Sequence, residues 1–425
     1  MWAVGSVNID VWEFHSRHVK TKNSHVKPGF RKGKKLRKGM KSHCRLRLTP
    51  LKLATALARS GTTLAPGEPT GFLRTLRSYL QVQEFCTGSN RTLGAAPSTL
   101  RKLRDSTRTA LAGEFGQALT WLIASEHFKQ STIVDFGRGC SLLTPQVPPP
   151  GSSDRRPDYL TSSAGLDEVS IFESKGSLAL TVDDVNWKEG IVTGLAQAEE
   201  GRKRLRANNF NGTIKRELAV SFALTEDSRS TVVFADPEDD DNTPLPESSR
   251  RPLALEHLAS WASAGGASSV AELFRSASPQ SPLIPIIDEW PTVELGSRKM
   301  KLLVPPPLIT RESEVFPPWP TDTLQLIDGQ ILRSVVTGDL SSSADAISSY
   351  REAMGHFTAE EEERGGAIFS DGTAYLRPKG PQPSDRSSTS LLDSLSKFIE
   401  FTTAIDEFAH SHLSEPFLNS LVPSR

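Results

Sequence analysis

The sequence predicts an α/β fold, a mixed sheet flanked by helices, and three stretches carry that expectation. Residues 108–123 repeat apolar side chains at helical spacing, with Leu111, Phe115, Leu119, Leu122 and Ile123 on one side. Residues 168–176 alternate polar and apolar side chains around Val169, Ile171 and Phe172, as a strand ending at Gly176 does. Residues 187–206 read as a long polar-faced helix, and two runs rich in strand formers follow it, 218–224 and 231–235.

Two more strands fit between the first helix and residue 168, at 131–136 and at 157–162. The order across 108–236 is then helix, three strands, helix, strands. The proline run at 144–153 reads as a surface loop inside that unit, since proline and serine punctuate rather than extend. Residues 1–50 form a basic N-terminal segment, and 51–107 a helical lead-in. Residues 237–252 are acidic and proline-bearing, as a linker or loop is.

Residues 253–425 read as an α+β region. It opens with a helix over 253–274, with Leu255, Leu258, Trp261 and Ala262 on a common side. A proline-rich irregular stretch at 282–320 holds a short strand near 300–304. Helices are expected at 341–357 and at 391–410, the second with Leu392, Leu395, Phe398, Ile399, Ala404 and Phe408 as its stripe. Between them, 367–376 is a hairpin turning at Asp371-Gly372.

Chemistry converges at Arg156-Pro157-Asp158-Tyr159 and Glu173-Ser174-Lys175. Side chains two apart on a strand share a face, so Glu173 and Lys175 belong together. With Asp158 on the preceding strand, two carboxylates offer the hard oxygen ligands that magnesium takes, beside an ammonium that can steady a developing charge. This pattern resembles the PD-(D/E)XK nuclease superfamily, with Pro157-Asp158 and Glu173-Ser174-Lys175 standing for its motif over roughly a third of the chain. The resemblance implies a restriction-endonuclease-like core, α-β-β-β-α-β, hydrolysing phosphodiester bonds. Asp158, Glu173 and Lys175 would be catalytic. Magnesium, or manganese in its place, would be held by Asp158, Glu173, the carbonyl of Ser174 and Glu114 of the first helix. Gln197 of the later helix would face the site. DNA is the expected substrate, a role in defence against foreign DNA is what the family suggests, and a homodimer is compatible with it.

The net charge is zero, yet its distribution is uneven. Between residues 20 and 47 lysine and arginine crowd together, and Arg31, Lys32, Lys34, Lys35, Arg37 and Lys38 are candidates for a nucleic-acid contact. A short hairpin turning at Lys32-Gly33 is expected there, and a basic tail is the plainer alternative. His15, His18, His25 and His43 with Cys44 match no common zinc spacing. The 3 cysteines are scattered, which argues for a reducing cytoplasm. No apolar run approaches membrane-span length, the N-terminus lacks a signal-peptide pattern, and no phosphate-binding glycine loop points to an NTP-driven motor. Two other readings stay open: a catalytically inactive nucleic-acid-binding or scaffold protein with the same fold, and a partner-binding protein that works through its C-terminal helices.

Overall fold

The structure, a computed structural model, describes residues 6–14, 40–60, 71–89, 91–96, 98–143, 156–236, 247–265, 267–277, 283–303, 324–355, 357–363 and 366–376, and two short strand pairs, 19–20 with 25–26 and 308–309 with 315–316. Its centre is a nine-stranded mixed sheet. In chain order the strands are β1 (Val7–Phe14), β2 (Met40–Leu48), β3 (Cys86–Ser89), β4 (Thr92–Ala95), β5 (Thr132–Asp135), β6 (Tyr159–Ser162), β7 (Val169–Ala179), β8 (Ile214–Thr225) and β9 (Thr231–Ala235). Across the sheet they run β3-β4-β1-β9-β8-β7-β6-β5, and β2 also pairs with β1. β1 lies parallel to β9 and β8 parallel to β7, while β5, β6 and β7 form an antiparallel ladder.

The helices of this half are α1 (Pro50–Ser60), α2 (Gly71–Phe85), α3 (Thr99–Lys102), α4 (Asp105–Leu122), α5 (Phe136–Leu143) and α6 (Trp187–Ala207). Side-chain size along β8 decides how they sit. Leu218, Val220 and Phe222 fill the core shared with Phe115, Leu119 and Leu122 of α4. The alternate residues Ala219 and Ala223 face Trp187, Ile191 and Leu195 of α6. Small residues on that face let α6 lie close to the strands. At Gly194 an added methyl carbon would stand 2.8 Å from the Ala219 side chain.

The order of elements over 108–236 is the expected one except that an extra helix, α5, stands between the first two strands, and element ends differ. β7 runs through Gly176 to Ala179, because its parallel ladder with β8 continues to Thr225. Phe136 leaves the first predicted strand and starts α5, which Asp135 caps by accepting from the Arg138 N–H at 2.8 Å. The N-terminal segment departs more from expectation. β1 and β2 are integral to the sheet, with Ile9, Val11 and Leu48 fully buried. Their short apolar sets are covered by neighbours more than a hundred residues away, which local reading does not see. The basic residues Arg31, Lys32, Lys34, Lys35, Arg37 and Lys38, and the hairpin expected at Lys32-Gly33, lie outside the described residues.

The acidic linker expected at 237–252 gives way at Glu247 to α7 (Glu247–Ala264), which contains Pro252, since burial of Leu253, Leu255 and Leu258 outweighs the one hydrogen bond a proline forfeits. The single helix expected over 253–274 is two, α7 and α8 (Ser268–Ser276). The break falls at Gly265, where a side chain would collide with Gln325. α9 (Leu283–Glu289) follows. A five-stranded antiparallel sheet comes next, β10 (Thr292–Leu295), β11 (Arg298–Leu303), β12 (Leu324–Asp328), β13 (Ala367–Ile368) and β14 (Thr373–Leu376), ordered β10-β11-β12-β14-β13. Beside it lie α10 (Gly329–Thr337), α11 (Leu340–Met354) and α12 (Phe357–Glu363). The Asp371-Gly372 turn is present, with Gly372 at φ +95°, a region that favours glycine. The helix expected at 391–410 lies outside the described residues.

The two sheets are joined by buried charge. Asp371 accepts from Arg59 of α1 and approaches His257 of α7, both at 2.9 Å. Lys52 of α1 reaches Glu362 of α12 at 2.9 Å. No described helix is long and apolar enough to cross a membrane. Because β1 and β2 are core strands, deleting residues 1–47 is expected to abolish cooperative unfolding and leave the protein aggregated. Disappearance of the parent's near-ultraviolet circular dichroism checks this.

Candidate active site

The ladder between β6 and β7 closes with Tyr159 opposite Phe172. Asp158 therefore falls just beyond the last pair, beside Glu173 and Ser174. Three donors fix its carboxylate: the Ser174 N–H at 2.8 Å and the Ser174 hydroxyl at 2.6 Å, both to Oδ2, and Gln117 Nε2 at 2.9 Å to Oδ1. The Ser174 amide is spoken for by Asp158 where a continuing β6 would have paired with it.

Glu173 and Lys175 extend from β7 toward α6, paired in register with Ala219 and Ser221 of β8. The Lys175 ammonium donates to Glu173 Oε1 and to Gln197 Oε1 of α6. Lys175 retains about a quarter of its side-chain exposure, whereas Glu173 is 2% exposed. Among the described residues, none donates a hydrogen bond to the second Glu173 oxygen, Oε2, which is buried. Burial pushes the Glu173 carboxyl up to about 9, the neighbouring Asp158 adds to that, and Lys175 opposes it. Asp135 is raised as well, first by burial, with Arg156 and its cap bonds opposing.

Close helix packing brings these groups together. Gly176 lies so near α4 that a methyl group there would overlap the Ala112 carbonyl oxygen, and a methyl on Gly116 would stand 2.8 Å from the Gly176 nitrogen. With both positions bare, the turn of α4 that bears Gln117 reaches the end of β6.

Asp158, Glu173, Ser174, Lys175 and Gln197 are thus brought together. Glu114 is not part of the group. Its carboxylate accepts from Arg77 at 2.9 Å and from Gln81 at 2.6 Å, both on α2. The helix presents Gln117 to Asp158 instead. Gln117 was legible in principle, as a polar residue beside Gly116 in a turn otherwise made of Phe115, Ala118 and Leu119. Among the described residues no three His, Cys, Asp or Glu side chains are arranged to hold a metal ion. The carboxylates are a pair, Asp158 and Glu173. That pair still suits magnesium, which commonly takes one or two carboxylates and keeps several waters. A buried Glu173 oxygen with no donor among the described residues, next to a second carboxylate, is the kind of acceptor a cation satisfies.

No protein-family model, no curated protein and no solved structure matches the chain significantly. Function is then read from the site's own chemistry.

An isolated glutamate ionises near 4.5, and folding raises Glu173 to about 9. Its contribution to stability is complete below the lower value and is lost as pH rises through the upper one. In cation-free buffer, Glu173→Gln is expected to melt higher than the parent by a margin that grows from about pH 5 to pH 9, with no gain near pH 4. Thermal melts in a chelator, stepped through pH, measure it.

Proposed function

We propose that the chain is a divalent-metal-dependent nuclease of the PD-(D/E)XK kind, with a restriction-endonuclease-like core over 108–236 and DNA as the expected substrate. The observation that carries this reading is the juxtaposition of Asp158, Glu173 and Lys175 at the end of the β6–β7 ladder, with one Glu173 oxygen buried and without a donor among the described residues. Magnesium or manganese would be held by Asp158 and Glu173, with the Ser174 carbonyl as a further oxygen. When bound it would supply a Lewis acid beside the scissile phosphate.

The chain's own residues do the rest. Gln117 and Ser174 hold the Asp158 carboxylate in one orientation. Gln197 and Glu173 hold the Lys175 ammonium at the strand end. From there Lys175 orients the attacking water and offsets negative charge that builds on the phosphate oxygens. Its partial exposure matters, since substrate has to reach it.

Magnesium-dependent cleavage of plasmid or linear DNA, abolished by a chelator, is the expected activity. Lys175→Ala is expected to lose at least about a hundredfold in rate with calorimetric metal uptake near that of the parent. Asp158→Asn is expected to lose both cleavage and uptake. Parental cleavage by Lys175→Ala would remove the lysine from the chemistry, and no metal uptake by the parent would end the proposal.

A further inference from the structure

Many surface cations of the described chain stand beside an acid, as Arg45, Arg77, Lys203, Arg229 and Arg333 do. The start of α4 is different. Arg101 and Lys102 close α3, Arg104 directly precedes α4, and all three are exposed. None has an ion-pair or hydrogen-bond partner among the described residues. Asp105 is the one acid among them, in the first turn of α4, where the helix dipole favours it. Exposed hydroxyl residues follow at Ser106, Thr107 and Thr109.

The start of α4 is tied to β7, the strand that carries Lys175, through Arg108. Arg108, four residues on, donates through Nε at 3.2 Å and Nη2 at 2.6 Å to the carbonyl of Leu178. Leu178 lies on β7 three residues beyond Lys175, roughly 10 Å along the strand. From Gln117 back to Asp105, α4 spans roughly 18 Å. At roughly 3.4 Å of helix axis per phosphate on one strand, that distance covers about five phosphates.

We infer that residues 101–109, on α3 and the start of α4, hold the phosphate backbone of a nucleic acid. The inference rests on the nuclease reading for the identity of the bound polymer, while its own observation is the unpaired cluster. Arginines and hydroxyls without ion-pair partners match phosphate oxygens and carry no base specificity. A membrane surface fits less well. The exposed positions here are charged or hydroxylic, and the apolar neighbour Leu103 is half-buried, so no apolar face remains to enter a bilayer.

The test is fluorescence anisotropy of a labelled 20-base-pair duplex against potassium chloride concentration, in a chelator so that nothing is cut. The full-length parent is compared with R101A/K102A/R104A, whose exposed changes should leave the melting temperature unmoved. The variant is expected to bind at least about tenfold more weakly at low salt. Its log–log salt slope should be shallower by about 2 to 3, close to 0.9 for each phosphate that is no longer neutralised. An unchanged slope overturns the inference, as does a variant that binds duplex normally but loses binding to vesicles of phosphatidylcholine with phosphatidylserine. Hydrolysis of bis(p-nitrophenyl) phosphate with manganese separates the two proposals, because that ester is too small to reach the cluster. Equal hydrolysis by parent and variant alongside a shallower slope supports the surface. A shallower slope with no hydrolysis by either protein sustains the surface and sinks the nuclease.

Discussion

The carboxylate of Asp371 is fully buried between the Arg59 guanidinium and the His257 ring, each at 2.9 Å, and each partner fastens a different part of the chain. Arg59 stacks on Trp121 of α4, 4.3 Å from its ring centre and one turn beyond Gln117. His257 takes the Ile133 N–H at 3.0 Å and so touches β5, whose neighbour β6 leads from Asp158. Burial alone would raise the Asp371 carboxyl, but Arg59 and His257 outweigh it and hold it well below the usual carboxylate range. A buried pair of this kind adds little net stability when intact, yet losing one member costs about 3–5 kcal/mol because the other is stranded. Its consequence is geometric: the helix and the strand that approach Asp158 are referred to the same fixed charge.

The two carboxylates of the site are treated unequally by the fold. Asp158 is held by three donors from two elements, whereas Glu173 has Lys175 on one oxygen and, among the described residues, no donor on the other. Both sit at a ladder end, where a strand's unpaired backbone amides become available to side chains. The Ser174 amide is used in that way. The residue between the two charged positions of Glu-x-Lys therefore has a structural task of its own.

Much of this was legible in the sequence. The α4 periodicity, the alternation through β7, the α6 helix and the Asp371-Gly372 turn are local patterns, and each produced the expected element. What escaped depended on distant partners. β1 and β2 lie at the two ends of a stretch dominated by charge, and their burial becomes visible only with β9 and β4 beside them. Glu114 and Gln117 are both polar residues on one helix, and which of them meets Asp158 depends on how α2 packs. Arg77 and Gln81 of α2 draw Glu114 away. Asp371 read only as a turn residue because nothing near it in sequence announces Arg59.

The position of β1 has a consequence for synthesis. Its residue Asp10 pairs with Thr231, so this strand needs a neighbour made more than two hundred residues later. At roughly 5–20 residues per second the gap is on the order of ten to forty seconds. In that interval β1 and β2 can form their antiparallel ribbon and Asn8 can meet Thr92 of β4, but Asp10–Glu13 of β1 have no β9 to pair with. The nascent chain thus carries a partly open strand edge until β9 is made. The sequence between the two strands is rich in lysine and arginine, a charge that disfavours association with other copies.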